Sequence, residues 1–149
     1  HMTLHDLLNG RPEDIAEKDI CFVRNEVMGI LEAVHKETWY VKLKTTCVFN
    51  MVNSSIVLGF QPCSETDCNH LMHLYERMEE IVPLGYPLTP HITLAYFRPG
   101  MYDSLIVKNL DNVFKILSEK EFAIEFATKD LIYQEFYNMN HYTTPNISC

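Results

Sequence analysis

Two short stretches of this 149-residue chain carry the same pattern of reactive side chains, HMTL at His1–Leu4 and HITL at His91–Leu94. Each sets an imidazole two residues ahead of a hydroxyl, with apolar residues between and after them. On an extended backbone alternate side chains share a face, so His91 and Thr93 point one way and Ile92 and Leu94 the other. An imidazole and a hydroxyl on one rigid face can each hydrogen-bond a phosphate. With a second pair opposite, two histidines flank the phosphorus. One can take a proton from an attacking water while the other gives one to the leaving oxygen. An ordinary imidazole, with a pKa of about 6.5, suits both tasks.

A single His-x-Ser/Thr match carries little information, because chance placement gives about 0.75 of them in such a chain. Three occur, at His1, His91 and His141. HITL is the strongest, since it sits on a clear strand after PLTP. HMTL has similar apolar surroundings, though His-Met is also a common leftover of cloning at the start of an expressed chain. HYTT at His141 runs into Pro145 in a polar tail and reads as a decoy.

The paired motifs resemble the signature of the 2H phosphoesterase superfamily, which includes the 2′,3′-cyclic phosphodiesterases and the 2′–5′ RNA ligase-like proteins. The resemblance extends over most of the chain through the repeated order of elements and the spacing of the motifs. It implies an α+β, bilobal duplicated fold, with two antiparallel sheets facing a central cleft and helices outside. It implies cofactor-free, metal-independent hydrolysis of 2′,3′-cyclic phosphates or related 2′-phosphodiesters. Carried onto this chain, it implies His1, Thr3, His91 and Thr93 as catalytic residues and Tyr96 as a substrate contact. Tyr96 fits the cyclic phosphodiesterase branch and departs from the ligase-like branch, which has a basic residue there.

Other clusters read more plainly. Cys63, Cys68, His70 and His73 are zinc-type ligands, but their spacing is not that of a familiar finger. Buried or solvated side chains account for them without a metal. Trp39, Tyr40, Tyr133, Phe136 and Tyr137 lie on expected strands, where core packing competes with base stacking. Lys42 and Lys44 share a strand face that reads as solvated, as does the helical run Glu76, Glu79, Glu80. Two other functions stay open: a non-catalytic nucleotide- or protein-binding module on the same fold, and a metal-dependent hydrolase built on Cys63, Cys68 and His73.

The elements that must position the motifs follow from periodicity. A helical pattern runs from about Pro12 to Lys36 through Ile15, Phe22, Val23, Val27, Ile30, Leu31 and Val34. Strands are expected at Trp39–Asn50 and Ile56–Phe60. Ser64 or Asp67 can cap a helix with the stripe Leu71, Tyr75, Met78, Val82. HITL follows as a strand bracketed by Pro90 and Pro99. A helix through Val107, Leu110, Val113, Phe114 and Leu117 comes next. Two strand-like runs end the pattern, one through Phe122, Ile124 and Phe126 and one at Leu131–Tyr137, ahead of a loose tail from Asn138. In each half, His-x-Thr-Leu is followed by a helix and two strands. The expected division is one domain, with lobe one at about 1–62, a linking helix at 64–82 and lobe two at about 88–138. If the halves are duplicates, a strand and helix should also precede HMTL, so the chain reads as cut upstream by roughly 30–40 residues.

Bulk composition narrows the partners. A formal net charge of −8 repels a long polyanion, so the expected partner is a small phosphorylated substrate or an RNA end rather than long nucleic acid. No apolar run reaches the roughly 18–20 residues of a membrane span. Five scattered cysteines do not read as a disulfide framework. Reduced thiols in a cytoplasmic monomer are the expectation.

Overall fold

The computed structural model describes residues 1–138 and 141–145. A one-turn 3-10 helix at Pro12–Asp14 leads into helix α1, Glu17–Val34. Val23, Val27, Leu31 and Val34 are its buried residues, a spacing of three or four that lines up one face. Phe22, expected in that stripe, falls beside it and is exposed. Strands β1 (Tyr40–Met51) and β2 (Ser55–Pro62) form an antiparallel hairpin. Along β1, fully buried Val41 and Leu43 alternate with exposed Tyr40, Lys42 and Lys44.

Helix α2, Glu65–Glu79, is capped by Ser64, whose hydroxyl accepts from the Asp67 amide at 3.1 Å. It buries Leu71, Leu74, Tyr75 and Met78. Strand β3 (His91–Tyr96), helix α3 (Ser104–Ser118) and strand β4 (Ala123–Ala127) follow. A 3-10 turn at Thr128–Asp130 then interrupts the chain, and Thr128 Oγ1 donates to the Glu37 carbonyl there. The last expected strand therefore starts late, as β5 at Glu135–Asn138. The tail is not loose throughout. Strand β6, His141–Thr143, pairs with β5.

The architecture is α+β. One curled sheet has the order β3-β2-β1-β4, with every neighbour antiparallel, and β5-β6 is a separate two-stranded sheet. These strands show the α+β class and do not by themselves show two duplicated lobes. β1 and β2 come from the first half of the chain, β3 and β4 from the second, and all four share one sheet. Like element order does not force like sheets, because pairing follows the burial of apolar faces. Leu43 lies opposite Ile124 and Val41 opposite Phe126 in register.

Two apolar clusters hold the fold. One joins Val23, Val27 and Leu31 of α1 to Met78 of α2 and Tyr133. The other covers a sheet face with Val41, Leu43, Phe60 and Leu71. The segment before α1 ties them together, since Met2 and Leu4 pack on the sheet cluster and Leu7 and Leu8 on the helix cluster. Helix α3 is amphipathic yet buries no residue, and Leu105, Ile106, Val113 and Ile116 stay exposed.

The expectation of five reduced thiols fails at Cys21, which is disulfide-bonded. Cys47, Cys63 and Cys68 are free, and Cys149 lies outside the described residues. Disulfides are rare in the cytosol, so the cysteines no longer argue for a cytoplasmic chain. No helix among the described residues is long and apolar enough to cross a membrane.

Candidate active site

The second motif rests on strand β3 at one edge of the sheet. Its register is set by β2, with His91 opposite Gly59, Ile92 opposite Leu58 and Thr93 opposite Val57. Paired residues point to the same face. Ile92 packs into the sheet cluster, and alternation sends His91 and Thr93 to the other face. Beyond Thr93 the strand bulges, because Ala95 pairs with Ile56 and Leu94 is left as the extra residue. The bulge resets the alternation before Tyr96, which is 51% exposed.

Gly59 beside His91 is required by a close approach. A Cβ there would stand 2.7 Å from Thr46 Oγ1 and 3.0 Å from the Phe49 ring. These two side chains come from the irregular stretch of β1 between Thr45 and Val48 and just after it. They fill the space next to His91 on its own face. The His91 ring is oriented by its backbone neighbour, since Nδ1 donates to the Thr89 carbonyl at 2.7 Å. That bond fixes the tautomer and leaves the Nε2 lone pair directed elsewhere. Nε2 makes no hydrogen bond among the described residues, so it is free to accept a proton.

The first motif is held differently. Residues 1–4 are not a strand, yet they alternate: His1 and Thr3 are exposed, while Met2 and Leu4 are half-buried on the sheet cluster. Met2 and Leu4 of the first motif thus share one core with Ile92 of the second, whereas Leu94 is exposed. The His1 ring meets Tyr142 of β6 edge-on, with centroids 4.5 Å apart. Among the described residues no hydrogen bond, ion pair or ring contact joins His1 or Thr3 to His91 or Thr93.

A residue that the sequence reading passed over anchors this segment. The His5 side chain is 2% exposed, and its Nε2 donates to Glu79 Oε1 at 3.2 Å. The same oxygen accepts from Tyr75 Oη at 2.9 Å and from the Leu84 amide at 3.0 Å. Glu79 is thus half-buried with three donors on one oxygen, not part of a solvated face as Glu76 and Glu80 are. The Leu84 amide above all, with Tyr75 and His5, holds its carboxyl below the ordinary value. His5 Nδ1 is buried and has no hydrogen-bond partner among the described residues. Burial lowers the His5 pKa, outweighing the carboxylate that raises it. The available signal was the i, i+4 spacing of Tyr75 and Glu79, which puts the acid on the flank of the apolar stripe.

The other candidates separate. His70 stacks on Trp39 at 4.2 Å and turns Nδ1 toward the Tyr40 carbonyl at 3.2 Å. Cys63 and Cys68 are exposed. Among the described residues no three His, Cys, Asp or Glu side chains gather as a metal site would need. Lys42 pairs with Glu125 at 2.9 Å on the solvated face. Of the strand aromatics, Tyr133 is buried and Trp39 half-buried, whereas Tyr40 and Phe136 are exposed. The Tyr137 side chain lies outside the described set. Two concavities, of about 170 and 330 Å³, are lined by other residues, Trp39 and Thr128 in the smaller and Lys44 and Gln61 in the larger. The reactive groups of the motifs are instead surface groups on a packed base. No family model, no curated protein and no solved structure matches this chain.

Proposed function

We propose that this chain is a phosphodiesterase of the 2H type, which hydrolyses a 2′,3′-cyclic phosphate or a related 2′-phosphodiester of a nucleotide or RNA end. The observation that carries the reading is the shared base of the two motifs. Met2 and Leu4 of one and Ile92 of the other pack on a single apolar cluster. The free Nε2 of His91, with its tautomer set by Thr89, adds a group able to take or give a proton.

In this mechanism one of His1 and His91 removes a proton from water as the oxygen attacks phosphorus. The bond from phosphorus to the 2′ or 3′ oxygen breaks, and the other histidine protonates that leaving oxygen. Thr3 and Thr93 donate hydrogen bonds to the phosphoryl oxygens, where charge grows in the transition state. The finer architecture of the family, two lobes about a cleft, belongs to the same proposal, as does a small substrate rather than long nucleic acid. The test is turnover of 2′,3′-cyclic nucleotides by the wild type and by His91→Ala. A loss of about 10²–10⁴-fold with the circular dichroism spectrum retained is expected. Measurable nucleotide binding without wild-type turnover would instead make the chain a binding module.

A further inference from the structure

Aromatic rings gather beside His1, and they come from the far end of the chain. Tyr142, on β6, meets the His1 ring at 4.5 Å and 68°. It also meets Phe136 on β5, at 5.3 Å and 39°. The two are register partners across the hairpin, so both project on one side of it. Tyr96 of β3 is close enough that, after burial, its charge is the next cause raising the Tyr142 pKa, followed by Asp6.

Core packing does not explain Phe136 or Tyr96, although Tyr142 is half-buried. Phe136 is 48% exposed and Tyr96 51%. The hairpin that carries Phe136 is nonetheless fixed. Arg24 of α1 donates from Nε and Nη2 to Glu135 Oε1 at 2.9 and 2.7 Å, and Tyr133 Oη donates to the same oxygen at 3.0 Å. Thr143 Oγ1 closes the ribbon on the Glu135 carbonyl at 3.3 Å. A two-stranded ribbon is marginal by itself. Here a charged contact, two Arg24 donors on one Glu135 oxygen, holds it against α1, with the exposed Phe136 ring against Tyr142, which in turn meets a motif histidine.

We propose that the β5–β6 hairpin is a nucleobase platform: Phe136, backed by Tyr142, stacks the base of a nucleotide whose phosphate lies at His1. The phosphate position rests on the function proposed above, whereas the stacking surface needs only the rings. A flat aromatic face accepts any base and discriminates little between them. The ligand class is therefore a nucleoside monophosphate, cyclic or open, or the terminal nucleotide of an RNA.

The test is calorimetric titration of the full chain with adenosine 2′-monophosphate and, as a base-free probe, ribose 5-phosphate. Phe136→Ala is expected to weaken the nucleotide by roughly five- to a hundredfold and to leave the base-free probe unchanged. Phe136→Trp is expected to restore binding. Because Phe136 is exposed, these variants are expected to fold. Equal wild-type affinity for the two probes, no nucleotide binding, or Phe136→Ala binding like wild type would overturn the platform. The same variants assayed on a 2′,3′-cyclic nucleotide separate the two proposals. Turnover with an unchanged KM in Phe136→Ala removes the platform and keeps the catalysis. Stacking-dependent binding without turnover keeps the platform and removes the catalysis.

Discussion

The two His-x-Thr motifs share a pattern but not a mode of support. HITL is part of a sheet, with its backbone in register with β2 and its histidine beside a glycine that admits Thr46 and Phe49. Among the described residues HMTL has no strand partner and is held by side chains, Met2 and Leu4 on the sheet and the adjoining His5 on Glu79 of α2. A strand is fixed by backbone bonds that any sequence can make, so its chemistry can change freely. A segment held by side chains depends on each of them. The first motif should therefore be the more fragile of the two, and the more sensitive to conditions.

Substitutions test this contrast in order of effect. The largest is expected from His1→Ala, which should cost the same roughly 10²–10⁴-fold in turnover as His91→Ala if the two act as acid and base. Full activity in His1→Ala, beside an inactive His91→Ala, would break the pairing of the motifs. Next is Leu43→Ala, which removes a fully buried side chain from the cluster under both motifs. A loss of about 2–5 kcal/mol in urea unfolding is expected. Gly59→Ala strikes the second motif alone, since its methyl meets Thr46 and Phe49. Chemical denaturation should show a cost of about 1–3 kcal/mol, and the His91 ring resonances should shift while those of His5 stay in place.

The smallest effect, and one confined to the first motif, is on pH. The folded His5 pKa lies below its ordinary 6.5 because burial disfavours the charged ring. Above 6.5 the ring is neutral in both states and its contribution is whole. As pH falls below that value the unfolded chain binds a proton that the folded chain does not, and stability is lost. Glu79 adds to the loss only below its ordinary 4.5. The urea midpoint of the wild type should fall between about pH 7 and 5 more steeply than that of His5→Leu. Parallel slopes would mean that His5 titrates as it does in the unfolded chain.

Much of the scaffold was legible because local signals agreed. β1 alternates from Tyr40 to Lys44, α2 combines a Ser64 cap with a stripe at Leu71, Tyr75 and Met78, and β3 is bracketed by prolines. The departures arise where a distant partner decides. Arg24 anchors Glu135 across 111 residues, so a hairpin forms where the tail composition suggests loose chain. Glu79 sits in an acidic run but is half-buried and bonded to His5, 74 residues away. The apolar stripe of α3 shows that the helix is amphipathic, yet periodicity says nothing of what covers it: Leu110 and Phe114 are half-buried, while Val107, Val113 and Leu117 stay exposed. The repeated element order suggested two lobes, and the four-stranded sheet, in which Tyr40–Lys44 pairs with Ala123–Ala127, does not by itself show them. Of the proposed site, the four motif residues could be named from sequence, whereas the contacts of His5, Tyr142 and Gly59 around them required the fold.

The two motifs act together only if two histidines work in opposite protonation states. The pH profile of kcat/KM on a 2′,3′-cyclic nucleotide reads this directly. A bell is expected, with limbs set by two groups near the histidine range. A flat profile from about pH 5 to about 9 would contradict it.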